Sequence, residues 1–385
     1  MNRYKFTILM PCLNEAETIG NCIKKAQGWI SKTGYTCEIL IADNGSNDNS
    51  AKIAKSMGAR VVNIKPKGYG NAIYYGVIEA KGDSIIVADA DDSYDFSRLD
   101  DFSDKLLEGF DFVLGNRFLG GIEPGAMPFK NRYFGNPILS FIGRFLFNIK
   151  LRDFHCGIRG FNKNAFLKMD LRTSGMEFAS EMVIKASLTN CRIAEVPATL
   201  AKDGRSRKPH LRPWRDGWRH LRFMLLFSPS WLFLYPGLFA FSLSLPIYIS
   251  LFISPLKIFN FKFDIYTMFY AQSLIMVSIL MVLFGILSRV YSIREGLMKT
   301  NKFYELFRAS SVLEIGATIG LLIFVVGLKQ FYVAVSLWKS LDFSITDYGN
   351  NFFRLVSFST LCVELGAILF LFALIFGFIQ LPVRR

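Results

Sequence analysis

The hydrophobic pattern of the chain falls into two regimes. In the first, short apolar runs stop at polar turns. Phe6-Thr7-Ile8-Leu9-Met10 runs into Pro11-Cys12-Leu13-Asn14-Glu15, and Glu38-Ile39-Leu40-Ile41 into Ala42-Asp43-Asn44-Gly45-Ser46. Ser84-Ile85-Ile86-Val87 runs into Ala88-Asp89-Ala90-Asp91-Asp92. Short runs bounded by turn residues read as buried strands. Helical stretches follow the first two, roughly Glu15 to Ile30 and Asp48 to Met57. Repeated strand-then-helix units predict an α/β fold with a parallel, right-handed, helix-covered sheet. In the second regime four long apolar segments follow one another, at about 231–254, 265–288, 312–338 and 355–381. Each reaches the roughly 20 residues that carry a helix across a bilayer. Only Glu314, Lys329 and Glu364 interrupt them. One such run could be a buried soluble helix; four in succession predict a membrane region.

Charge sharpens this division. The chain has 385 residues, is 51% hydrophobic and carries a formal net charge of +14. Residues 1–222 hold 33 Lys+Arg and 24 Asp+Glu, whereas residues 223–385 hold only 12 and 7. The expected organisation is a soluble domain over 1–211, a juxtamembrane amphipathic helix over 212–228 and a membrane domain over 229–385. In the juxtamembrane stretch Arg215, Arg219 and Arg222 alternate with Trp214, Trp218 and Phe223 at helical spacing, a pattern suited to the headgroup region. Its adjacency to a span argues against nucleic-acid binding. The loop after the second span holds Arg289, Arg294, Lys299, Lys302 and Arg308, which predicts that both termini and the soluble domain face the cytosol. The polar, strand-like start is no signal peptide. Six scattered cysteines without a CxxC, beside three histidines, argue against a zinc site.

The chemistry sits where strands end. In parallel sheets ligands bind outside the carboxyl ends of the strands, so the three polar turns face one crevice. Asp89 and Asp91 can converge on one hard divalent cation, Mg²⁺ or Mn²⁺, and leave it positions for phosphate oxygens. The Pro11 to Glu15 turn and Asp43 are candidates for gripping a base and ribose. Arg205 and Arg207, in Asp203-Gly204-Arg205-Ser206-Arg207, have guanidinium forks that could clasp a diphosphate. Arg117, after the run Phe112-Val113-Leu114, and Arg132 are cations for a second anionic substrate, with surface charge as the plain alternative. Glu177 and Glu181 share a helix face. Ser174 and Glu177 fit a capping box, which leaves Glu181 as the stronger functional candidate. Gly68-Tyr69-Gly70-Asn71 lacks the third glycine of a dinucleotide fingerprint, which excludes a dehydrogenase.

Taken in order, these motifs, with Asn131-Arg132-Tyr133-Phe134-Gly135-Asn136 and Asp153-Phe154-His155-Cys156-Gly157-Ile158-Arg159, resemble family 2 glycosyltransferases of the GT-A fold. The branch they are most similar to is the polyprenyl-phosphate, dolichol-phosphate mannose synthase-like one. The resemblance covers about residues 5 to 240. It implies a nucleotide-sugar site made by Pro11, Leu13, Asn14, Glu15, Asp43, Gly45, Ser46, Asp89, Ala90, Asp91, Glu181, Arg205 and Arg207. It places the metal on Asp89 and Asp91, and a lipid phosphate on Arg117, Arg132 and Asn136. The family's usual Asp-Asp-Gly-Ser stands here as Asp43-Asn44-Gly45-Ser46, one carboxylate fewer.

A phosphate acceptor narrows the mechanism. With a second pKa of about 6 it is largely dianionic at neutral pH and attacks without a strong base. Catalysis then rests on bringing two anions together and stabilising the departing nucleoside diphosphate. Asp91, Arg117 and Asp153 are the expected catalytic residues, Asp153 as one that orients the sugar or steers the attack. The resulting expectation is inverting transfer of one hexose, from UDP-glucose first or GDP-mannose second, to a polyprenyl phosphate beside membrane lipid, with homo-oligomerisation left open. Two rivals stand. A processive polysaccharide synthase would need a Gln-x-x-Arg-Trp motif, which the chain lacks. A transporter or lipid-flipping protein would make use of Lys329 and Glu364, which could instead pair across adjacent helices.

Overall fold

The computed structural model describes residues 4–206, 213–294, 298, 300, 305, 311–340, 343 and 350–381. Arg207, Lys299, Lys302 and Arg308 lie outside the described residues. The chain divides into two compact units, Met1–Met224 and Leu225–Arg385.

The first unit is built on a seven-stranded sheet. Its strands are β1 (Phe6–Cys12), β2 (Cys37–Asp43), β3 (Arg60–Asn63), β4 (Ser84–Val87), β5 (Phe112–Asn116), β6 (Arg159–Asn162) and β7 (Ile193–Pro197), in the order β3-β2-β1-β4-β6-β5-β7. All seven residues of β1 and all four of β4 are buried, as a strand covered on both faces requires. β1 pairs in parallel with both β2 and β4, so the strand order reverses between β1 and β4. That reversal opens a crevice at their carboxyl ends. β6 runs antiparallel to both β4 and β5. It is the departure from a purely parallel sheet, and its sequence, Arg-Gly-Phe-Asn, carries no apolar run to announce it.

Helix α1 (Ile19–Thr33) buries Ile19, Cys22, Ile23, Ala26 and Trp29, one stripe at helical spacing, and ends at Gly34 in the left-handed conformation. The other helices of this unit are α2 (Ser50–Ser56), α3 (Tyr69–Glu79), α4 (Asp100–Leu107), α5 (Arg117–Gly120), α6 (Asn136–Phe147), α7 (Lys163–Lys168), α8 (Phe178–Leu188) and α9 (Pro213–Leu226), the last running just past its end. The expected capping box at Ser174 and Glu177 is absent: Glu177 occupies the N-cap of α8 and makes no side-chain cap. In α9 Trp214 and Trp218 are exposed, but Phe223 is buried with Asp216, His220 and Met224. Phe223 therefore belongs to the inward face of the helix, not to the tryptophan face the spacing suggested.

The second unit holds four helices long and apolar enough to cross a membrane: Ser230–Ile253, Ile265–Arg294, Ser311–Ser340 and Asn351–Gln380. The first opens with a π-turn over Ser230–Leu234 and contains Pro246. Arg354, at one end of the fourth helix, donates to Asp264 at 3.0 Å and to the Leu251 carbonyl at 2.9 Å. The Tyr248 and Ser357 hydroxyls lie 3.2 Å apart, and Ser357 also donates to Gln272. These bonds tie the first, second and fourth helices together with groups that lipid could not satisfy. Lys329 and Glu364 do not pair. Both are exposed, and no ion pair joins them among the described residues.

Candidate active site

Three strand ends and one returning loop build the crevice. After β1, Asn14 adopts a left-handed backbone (φ 59°). Its N–H donates to Ser46 Oγ at 2.8 Å, while its side-chain oxygen accepts from the Asn47 N–H at 2.7 Å. Ser46 Oγ in turn donates to Asp43 at 2.5 Å. The first two polar turns are thus locked to each other. Gly45, at φ 87°, allows the sharp bend that brings them together.

Asn44 accounts for the missing carboxylate. Its amide donates to the carbonyls of Ile64 (3.1 Å) and Pro66 (2.7 Å), and its oxygen accepts from the Gly68 N–H at 2.8 Å. A carboxylate has no proton to donate to two carbonyls. The residue holds the loop that leads into α3, and the Gly68 to Asn71 segment starts that helix.

The acidic turn after β4 is the centre of charge. Asp91 accepts from the Ser93 N–H and hydroxyl at 3.1 and 2.5 Å. Its other oxygen meets Arg205 at 2.7 Å. The same guanidinium reaches Glu15 at 3.1 Å and Asp203 at 3.0 Å. The Gly204 N–H donates to the Asp91 carbonyl at 3.1 Å, which fastens the 203–205 loop over the turn. Burial, reinforced by the Asp91 charge, pushes Asp89 up to about 7 against the pull of the Tyr69 phenol and Arg205. The loop at Gly157 packs on the same carboxylate: a Cβ there would stand 2.9 Å from Asp89 Oδ2.

This donor set fits a hard divalent cation. Burial and the neighbouring Asp91 charge both raise Asp89, so a cation between the two acids would relieve their crowding, and Arg205 supplies Asp91 with a counter-charge. Among the described residues no group of three or more His, Cys, Asp or Glu side chains is arranged to hold a metal ion by itself. Asp89 and Asp91 would supply two carboxylates to a cation whose other ligands came from elsewhere.

Other sequence-derived candidates are placed differently. Arg117 and Asp153 form a buried fork, with Nε and Nη2 each 2.7 Å from a carboxylate oxygen, and the Arg117 N–H donates to the same acid at 3.1 Å. Asp153 is 0% exposed. Each takes up the other's charge, and together they tie the 153–159 loop to the end of β5. Glu181 is also consumed internally. It accepts from the backbone of Arg172 and Thr173 and from the Thr173 hydroxyl, and it pairs with Lys185 at 3.1 Å. Arg132 is half-buried over the Tyr133 ring at 5.6 Å and has no carboxylate partner among the described residues. Asn136 donates to Met127 Sδ at 3.3 Å.

Two features were not singled out from the sequence. Phe129, Tyr133, Phe134, Ile138, Phe141 and Phe145 stand exposed along the stretch leading into and through α6. Their spacing is visible in the chain, but a core-facing stripe has the same period. Arg159 is buried and donates to the carbonyls of Cys156 (3.0 Å) and Ala179 (2.5 Å), stapling the loop that carries Gly157.

The first unit is thus a mostly parallel sheet with an acid pair at its switch point, and the second holds four helices long and apolar enough to cross a membrane. Residues 7–169 match Glycosyl transferase family 2, and residues 286–380 match the Glycosyltransferase family 2 C-terminal transmembrane region. The chain is 33% identical over 341 residues to the low-salt glycan biosynthesis hexosyltransferase Agl6 of Haloferax volcanii, covering 88% of this chain and 81% of that one. It is 29% identical over 220 residues to a dolichyl-phosphate hexose transferase of the same organism, covering 56% and 92%. Among solved structures, glucosyl-3-phosphoglycerate synthase from Mycobacterium tuberculosis aligns with a TM-score of 0.46 at 19% identity, over 58% of this chain and 79% of that one. The chain belongs to glycosyltransferase family 2, with the GT-A sheet in its first unit and an integral membrane region in its second.

Proposed function

We propose that the protein transfers a single hexose from a nucleotide sugar, UDP-glucose first and GDP-mannose second, to a polyprenyl phosphate at the cytosolic membrane face, inverting the anomeric centre. The observation that carries the acceptor is Arg132. It is a cation without a carboxylate partner among the described residues, set in a run of exposed aromatic and aliphatic side chains. Such a setting suits a phosphate that carries an apolar tail. A relative named as a dolichyl-phosphate hexose transferase supports the same class of acceptor.

On the donor side, the turn that ends β1 and the Asp43–Ser46 turn form one hydrogen-bonded wall for the nucleoside. Asp89 and Asp91 would hold Mg²⁺ or Mn²⁺, which offsets diphosphate charge as the bond to the sugar breaks. Arg205, beside Asp91, would take a phosphate oxygen in exchange for a carboxylate. Residues 1–211 form the catalytic domain in this reading, 212–228 the interfacial helix and 229–385 the membrane domain. In this reading the catalytic domain and both termini face the cytosol, which the basic residues in the sequence after the second span support.

Steady-state kinetics of the purified protein test the acceptor assignment. Arg132→Ala should raise KM for a short polyprenyl phosphate about tenfold or more, the loss of one charge-assisted contact, and leave KM for the nucleotide sugar unchanged. An unchanged KM for the lipid removes Arg132 from the acceptor site.

A further inference from the structure

The third and fourth membrane helices pack on each other in an antiparallel hairpin whose register is fixed by glycines. A Cβ at Gly320 would lie 2.6 Å from the Phe370 backbone nitrogen, and one at Gly327 would lie 2.6 Å from that of Val363. Seven residues along one helix thus correspond to seven residues back along the other. Position 329 is therefore level with position 361, three residues from Glu364, or about 4.5 Å at ~1.5 Å rise per residue. Lys329 and Glu364 sit at nearly the same depth.

Their surroundings make this depth costly. Glu364 stands one residue from the middle of the 31-residue helix Asn350–Gln380. It is exposed on the surface of the chain, too far from either helix end for its short side chain to reach water. Lys329 is also exposed and follows Gly327 by two residues, about 200° around the helix from the hairpin contact. The two charges therefore leave the hairpin by different faces and do not meet within one chain. Opposite charges facing lipid at matched depth call for cover by protein of complementary charge.

We propose that these two faces are an interface between copies of this chain, with Lys329 of one copy paired to Glu364 of the next. Copies inserted in one membrane share orientation, so every residue keeps its depth from copy to copy. Depth-matching within the hairpin thus becomes depth-matching between hairpins. A twofold axis along the membrane normal would make two identical pairs at once, and a ring would make one pair at each contact. Other occupants, such as a different membrane protein or lipid headgroups, would not require the acid and the base to be level.

Fluorescence energy transfer between labelled copies of the full-length protein, titrated against lipid-to-protein ratio in vesicles, tests this. Glu364→Lys and Lys329→Glu should each weaken self-association about tenfold or more. Mixing the two variants should restore it, because each then supplies the charge that the other lacks. The double variant should also associate with itself. Glu364→Gln and Lys329→Gln remove charge without adding repulsion, and should weaken association while leaving the thermal unfolding of the solubilised protein as in the wild type. Rescue in the double variant but not in the mixture would mean that the pair forms within one chain. Association unchanged in the single variants, or absent in the wild type, would also overturn the proposal.

Discussion

Arg117 and Asp153 bond to each other in the structure, a pairing that their sequence positions do not announce. Arg117 directly follows a strand end, as catalytic charges often do, yet it and Asp153 satisfy each other in a buried two-point fork. Arg117→Ala would strand the Asp153 carboxylate in the protein interior. The cost expected for breaking a buried pair is about 3–5 kcal/mol, read by denaturant or thermal unfolding of the solubilised protein. Near-native stability combined with a raised KM for the lipid would return Arg117 to the acceptor site. Glu181 teaches the same lesson, since residue type does not reveal whether a carboxylate already has its donors. Asp89 and Asp91 were more legible. Two acids directly behind a buried strand have no adjacent basic residue, and the turn that carries them must lie at the edge of the sheet. The converging Arg205, more than 110 positions away, could be anticipated only through the family resemblance.

At the scale of elements, strands announced by apolar runs were readable, and β6 was not. In it Gly160 packs against Leu106, and the Arg159 guanidinium donates to backbone carbonyls. Helix α9 was legible from its spacing, but its inward face was not, because Asp216 and His220 share that face with Phe223 and Met224. His220 there lies 2.8 Å from Ser180 Oγ, and its ring packs edge-on against His155 at 4.6 Å. Burial, with the Arg159 charge, pulls His220 down from 6.5 to about 4; burial and the His220 charge also hold His155 well below its usual value. Between those limits the unfolded chain binds protons that the folded chain does not, so stability must fall as pH falls from about 6.5 towards 4. The expected slope is at most about 1.4 kcal/mol per pH unit for each imidazole. Denaturant titrations of the solubilised protein between pH 7 and 5 should show it, and His220→Gln should make the slope shallower. An identical slope in that variant would mean that other groups set the acid limit.

For the whole molecule, the alternation of short strands and helices followed by four long apolar segments gave the architecture directly, since both patterns follow from burying backbone and side chains. What lay beyond reach was how the spans meet. Lys329 and Glu364 looked like partners on neighbouring helices, but the glycine-set register turns them to different faces. The sugar is set by a few side chains around the crevice, and no sequence period reports it. The central claim is transfer of one hexose to a lipid phosphate with the acid pair as its electrostatic centre. Purified protein incubated with labelled UDP-glucose or GDP-mannose and a short polyprenyl phosphate tests it most directly. The account predicts an organic-soluble product with one hexose per phosphate, lost when Asp91 is changed to Asn. Label accumulating in a polymer, or lipid-linked product persisting in the Asp91→Asn variant, would contradict it.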